Sequence, residues 1–209
     1  MLVTKRKLPF VFTVFLMLVS ASIITGCGDK SLKVIPADGT ILAFGDSLTF
    51  GVGTSKDKSY PSVLAELSGR RVVNAGISGE ETSAGLMRFN DELTQTQPDL
   101  VILLEGGNDI LRNRDLKSTK RNLAAMIEMM KESDIPVVLI GVPDKRLFSD
   151  SSKLYGELAE EYQLVFADDL VADLMRKAAY KSDSIHFNQA GYRVMAEQIY
   201  QLLLDTGAL

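Results

Sequence analysis

Thr40-Ile41-Leu42-Ala43-Phe44-Gly45-Asp46-Ser47-Leu48-Thr49 holds four uninterrupted apolar side chains, Ile41 to Phe44, followed at once by turn chemistry. A run with no polar alternation has no face to turn to water, as expected of a parallel strand covered on both sides. Gly45, Asp46 and Ser47 favour tight turns and helix caps and so end the run. Similar short aliphatic runs occur at Val72 to Ala75, Leu100 to Leu104, Val137 to Ile140 and Leu164 to Phe166. Helical patterns lie between them at Tyr60 to Leu67, Ser83 to Thr94, Leu116 to Lys131 and Ser151 to Tyr162. Gln189 to Leu204 closes the series, with Tyr192, Met195, Ala196, Ile199 and Leu203 on one stripe. Strands alternating with helices predict βαβ units, hence the α/β class with a parallel sheet between helical layers.

The chain has 209 residues, 46% hydrophobic and 24% charged, with a formal net charge of -4. That suits one globular domain with a single core. The basic residues are scattered, so the clustered positive face that nucleic acid requires is missing. One Cys and one His are too few for a typical structural zinc site, and no loop has EF-hand spacing. Neither a metal nor a cofactor is expected. Met126, Met129 and Met130 read as ordinary core.

Ligands of open parallel sheets bind beyond the carboxyl ends of the strands, so the residues that follow each strand matter most. Gly45-Asp46-Ser47 follows the first, Asn74-Ala75-Gly76-Ile77-Ser78-Gly79 the second, and Gly106-Gly107-Asn108-Asp109 the third. Near the C-terminus, Asp183-Ser184-Ile185-His186 carries the only imidazole. Each segment alone reads equally well as turn chemistry. Together they place a serine, glycine N–H groups, an amide side chain, a histidine and a carboxylate at one edge of one sheet.

This combination resembles the SGNH, or GDSL, hydrolase family, with Ser47, Gly76, Asn108 and His186 matching in order and Asp183 three residues before the histidine. The resemblance runs from about Thr40 to the C-terminus and implies a three-layer α/β/α domain with a flavodoxin-like five-stranded sheet. The Val72 to Glu80 stretch is similar to the thioesterase, lysophospholipase and arylesterase branch. Two departures flank the site: Glu105 stands where close relatives have a hydrophobic residue, and Phe187 stands where the branch often has proline.

A serine hydroxyl is a weak nucleophile until a base takes its proton, and His186 is the only imidazole available. In this reading Ser47 attacks an ester or thioester carbonyl, His186 is the base and Asp183 orients the ring. The resemblance assigns the oxyanion hole to the N–H of Ser47, the N–H of Gly76 and the side-chain amide of Asn108. Asp46 and Asp109 are expected to cap or brace their turns, and the segments Phe50 to Asp57 and Pro143 to Ser149 to line the pocket.

At the other end, Lys5, Arg6 and Lys7 precede an apolar run from Leu8 to Ile24, the charged and hydrophobic regions of an export signal. On length alone the run also comes close to a membrane span. Ile24-Thr25-Gly26-Cys27 resembles the lipobox of bacterial lipoproteins, which implies cleavage before Cys27 and its lipidation. The expected organisation is a signal peptide at 1–26, a lipidated tether at 27–38 and the hydrolase domain at 39–209. That places a monomeric domain in the cell envelope, facing the periplasm or the exterior, held to the membrane by its lipid anchor.

The expected activity is hydrolysis of acyl esters or thioesters, with a small-molecule or lipid ester as substrate and the tether favouring a membrane lipid. The same triad also serves an envelope polysaccharide O-deacetylase or an acyltransferase. A silent binding lipoprotein is the alternative outside enzymology.

Overall fold

The computed structural model describes residues 31–145 and 149–209, so the expected signal segment and Cys27 lie outside the described residues. Five strands, β1 (Thr40–Gly45), β2 (Arg71–Gly76), β3 (Leu100–Leu104), β4 (Val137–Ile140) and β5 (Val165–Ala167), pair in parallel in the order β2-β1-β3-β4-β5. This is the five-stranded α/β arrangement expected. The inner strands β1, β3 and β4 are buried along their whole length, which is why they carry unbroken apolar runs. β2 and β5 are the edges. On β2, Arg71 and Asn74 reach solvent and Val72 and Val73 are half-buried, so the expectation of full burial fails there. β5 starts one residue later than its apolar run because the Leu164 N–H bonds the Ala159 carbonyl at 2.9 Å and closes the preceding turn.

Eight α-helices complete the described fold: α1 (Ser47–Phe50), α2 (Tyr60–Ser68), α3 (Thr82–Thr96), α4 (Gly107–Leu111), α5 (Leu116–Glu132), α6 (Lys153–Glu161), α7 (Leu170–Met175) and α8 (Gln189–Asp205). α8 packs on α2 and α7, and α5 packs on α3 and α6. The sequence patterns locate the five long helices but not α1, α4 and α7, since four to six residues complete too little of a 3.6-residue period to register.

The core joins layers through specific contacts. Phe44 of β1 meets Phe89 of α3 edge to face with centroids 4.7 Å apart, a geometry contributing about 0.5–1.5 kcal/mol beyond area burial. The guanidinium of Arg88 lies 4.0 Å from the Phe44 ring and bonds both oxygens of the buried Glu80 and the Ala75 carbonyl. Met126 and Met130 are fully buried, with Met129 against them. Gly45 permits β1 to stay paired with β3 to its last residue, because a Cβ there would sit 1.9 Å from the Leu104 carbonyl oxygen.

The strand order reverses direction between β1 and β3. One connection leaves β1 toward β2 and the next strand, β3, returns to its other side, opening a crevice at their carboxyl ends.

Candidate active site

Asp46 joins the end of β1 to the start of α1 and caps that helix, its Oδ1 accepting the Leu48 N–H at 3.1 Å. The cap starts the helix directly under Ser47, and Gly51, at φ 93°, stops it after four residues. Ser47 is thereby fixed at the strand's carboxyl end. Its backbone N–H has no acceptor among the described residues, as expected for a first helical residue.

The Ser47 Oγ lies 3.1 Å from Nε2 of His186, whose Nδ1 lies 2.8 Å from Oδ2 of Asp183. Asp183 Oδ1 accepts the N–H groups of Ile185 (2.7 Å) and His186 (2.8 Å), so one carboxylate shapes the turn and orients the ring. Burial alone would raise the Asp183 pKa, but these N–H groups and the imidazole overcome it and hold the group at about 2. The turn is also anchored away from the reacting atoms. Phe187 is fully buried edge to face against Tyr192, and the Tyr192 hydroxyl donates to the Val52 carbonyl at 2.8 Å, in the loop just after α1. A buried aromatic thus fills the position where the family branch often has proline.

Asn108 stands on α4 and donates from Nδ2 to Asp46 Oδ2 at 3.3 Å, leaving its other amide hydrogen available. Gly76 is placed differently from its expected role. Its N–H is already taken by Asn74 Oδ1 at 2.9 Å, and a Cβ there would lie 2.1 Å from the Phe50 nitrogen, so this glycine lets the β2 end pack against the end of α1. Three residues on, Gly79 adopts φ 81° and its N–H has no acceptor among the described residues. The Gly79 carbonyl accepts Arg112 Nη1 at 3.0 Å, and the Arg112 N–H bonds the Asn108 carbonyl at 3.0 Å. These two bonds tie the Gly79 turn to the helix of Asn108.

Acidic groups crowd behind this edge. Asp109 braces three elements, accepting the Thr82 N–H (2.9 Å), the Thr82 hydroxyl (2.6 Å) and the Thr119 hydroxyl (3.1 Å). Burial raises the Asp46 pKa to about 6, against the opposing pull of the Leu48 N–H and His186. Glu105 is fully buried, and neither carboxyl oxygen has a hydrogen-bond partner. Burial first, and then the charges of Asp46 and Glu80, push its pKa well above the usual carboxylate range, so its neutral form is the one favoured.

A cavity of about 370 Å³ opens beside Ser47 and Asn108. Leu48, Ile110, Leu111, Val142, Pro143, Ala172, Met175 and Ile185 make its lining mainly apolar. The expectation for the segment from Pro143 holds at Pro143, Asp144, Lys145 and Ser149, while 146–148 lie outside the described residues. The 50–57 segment does not line the cavity, because the cavity opens toward β4 whereas Phe50 abuts the end of β2.

The model of the GDSL-like lipase/acylhydrolase family matches residues 43–194, from β1 through the His186 turn into α8. The chain belongs to that family. This GDSL-like hydrolase is 33% identical over 175 residues to an arylesterase from Vibrio mimicus, covering 78% of this chain and 88% of that protein. It is 28% identical over 203 residues to the thioesterase 1/protease 1/lysophospholipase L1 of Escherichia coli K12, covering 93% and 90%. The crystal structure of the psychrotrophic esterase EstA from Pseudoalteromonas sp. shares the fold, with a TM-score of 0.72 at 23% identity, over 80% of this chain and 98% of that one. The GDSL-like hydrolase is accordingly a carboxylic ester hydrolase of the SGNH type.

Proposed function

We propose that this esterase cleaves acyl esters or thioesters through an acyl-enzyme on Ser47. The observation that carries the reading is the continuous hydrogen-bonded line from Ser47 Oγ through His186 to Asp183, with distances of 3.1 and 2.8 Å. His186 Nε2 takes the hydroxyl proton as Oγ bonds to the carbonyl carbon, and Asp183 steadies the imidazolium. Collapse of the tetrahedral intermediate breaks the ester bond, and the same proton passes to the leaving oxygen or sulfur. Water then attacks the acyl-serine with His186 again as base and releases the acid.

The oxyanion hole is assigned to the N–H of Ser47, the free amide hydrogen of Asn108 and the N–H of Gly79. Gly79 takes the part first given to Gly76, on the ground that the Gly76 N–H is already bonded to Asn74. The apolar cavity supports an acyl chain of several carbons and weighs against a pure acetyl esterase. The lipobox-like ending at Cys27 supports export, lipidation of Cys27, a tether over 27–38 and an envelope location.

The test is hydrolysis of p-nitrophenyl esters from acetate to palmitate by the full chain and by Ser47→Ala and His186→Ala. The expected result is an optimum above acetate and loss of activity in both variants. Activity surviving Ser47→Ala would remove the acyl-enzyme from the mechanism.

A further inference from the structure

The first described residues cross the sheet at the opposite end from the catalytic residues. The Leu32 N–H bonds the Thr206 carbonyl and the Ile35 N–H bonds the Ala208 carbonyl, each at 2.8 Å, beyond the last turn of α8. The Ile35 carbonyl accepts from Arg70, the residue before β2, and Lys33 pairs with Asp134, three residues before β4. The Thr40 N–H bonds Asp99, the residue before β3, at 2.8 Å. Ile35 itself is 1% exposed, so the segment is packed into the core rather than laid loosely over it. In an all-parallel sheet the residues preceding the strands lie together, and that edge is where the chain from Cys27 enters.

The molecule supplies its own ruler for the separation. α8 has 17 residues. It runs from Asn188, two residues after His186, to the turn that holds Leu32, a length of about 25 Å at 1.5 Å per residue. Four residues lie between Cys27 and Leu32, and the five Cα-to-Cα steps that join them span no more than about 18 Å even when fully extended. With its mouth turned to the bilayer, the domain would need its entry point raised by the whole length of α8, and this leash is too short for that.

We propose that in the lipidated protein the catalytic mouth faces away from the bilayer that holds Cys27, and that the substrate is a water-dispersed acyl ester or thioester rather than a lipid of that bilayer. The proposal rests on the hydrolytic reading of Ser47 and on the lipidation of Cys27. It narrows the substrate source that the tether suggests in isolation. The anchor retains the enzyme in the envelope without presenting it to the anchoring lipids, and the apolar cavity takes the acyl chain of a molecule arriving from the aqueous side.

The experiment uses the full lipidated chain on phosphatidylcholine vesicles, beside a variant with a flexible Gly/Ser insertion of about 20 residues between Asp29 and Lys30, long enough to span about 25 Å on average. Each is given p-nitrophenyl butyrate in solution and a fluorogenic acyl ester held in the same vesicles by a diacyl anchor. The expected result is equal turnover of the soluble ester and turnover of the bilayer ester raised about tenfold or more by the insertion. Equal turnover of the bilayer ester by both proteins overturns the proposal while leaving the esterase intact. Inactivity of both on the soluble ester overturns instead the hydrolytic reading beneath it. Vesicle binding unchanged by Cys27→Ser removes the anchor and the proposal with it.

Discussion

Asn108 Nδ2 donates to Asp46 Oδ2 at 3.3 Å across 62 positions of sequence, so the residue that caps the helix of Ser47, the proposed nucleophile, also aims the amide of the proposed oxyanion hole. One buried carboxylate couples the turn after β1 to the turn after β3. Asp46 acts through Ser47 and Asn108.

Asp46→Asn keeps a good helix cap but presents an amide where Asn108 needs an acceptor. We expect kcat to fall roughly tenfold or more with KM little changed, since a misaimed donor costs transition-state rather than ground-state binding. The native pKa of Asp46 is raised, so its contribution to stability is full below about 4 and is lost as pH rises through about 6. The loss is on the order of 3 kcal/mol, and it should be absent from the variant's urea-unfolding profile between pH 4 and 7. Identical profiles for the two proteins would contradict the buried placement of this carboxyl.

Glu105→Leu replaces an unpartnered buried carboxyl with an apolar group of similar size. Stabilisation of about 1–3 kcal/mol is expected at pH 8. The raised native pKa makes the wild type lose stability as pH increases from the ordinary glutamate value, so the variant's advantage should shrink toward pH 4. Thermal unfolding at the two pH values measures this. A variant less stable than wild type at pH 8 would mean that the Glu105 carboxyl has a stabilising partner.

Asp183 is held at about 2 and stays ionised throughout the working range. Activity lost on acidification between pH 4 and 7 should therefore not arise from protonation of Asp183, and an acid limb of the kcat/KM profile in that range that disappears in Asp183→Asn would refute this. Asp183→Asn should lower kcat by about 10² to 10⁴ by favouring the wrong imidazole tautomer. Its effect on stability should be small, because the side chain is half exposed.

Arg112→Ala releases the Gly79 carbonyl and the Glu81 carboxylate, which Arg112 bonds at 3.0 and 2.7 Å. The guanidinium is nearly half exposed, so stability should change by less than about 1 kcal/mol. If the Gly79 N–H belongs to the oxyanion hole, kcat should fall several-fold while the variant unfolds at nearly the wild-type temperature. Unchanged kcat would argue for a donor elsewhere. Asn108→Ala provides the scale, with an expected loss of about 10² to 10³.

Composition and period alone were enough for the α/β class, the five strands and the long helices, because burial on both faces leaves an unbroken apolar run and a helix on a sheet leaves a 3.6-residue stripe. Ser47, His186 and Asp183 were expected together from the strand-end position of the serine, the single imidazole and the family resemblance, and the structure brings the three within hydrogen-bond distance. Tertiary structure decided which glycine N–H is free. Whether Asn74 bonds the N–H of Gly76 depends on side-chain placement at a strand end, and Gly79 is distinguished by a left-handed backbone that no spacing reveals. It also decided that the edge strand β2 is part exposed, that Glu105 is buried without a partner, and that residues 32–40 lie at the end of the sheet opposite Ser47 and His186. Each of these depends on how segments remote in sequence come together, which local pattern cannot encode because it records only what near neighbours in the chain require.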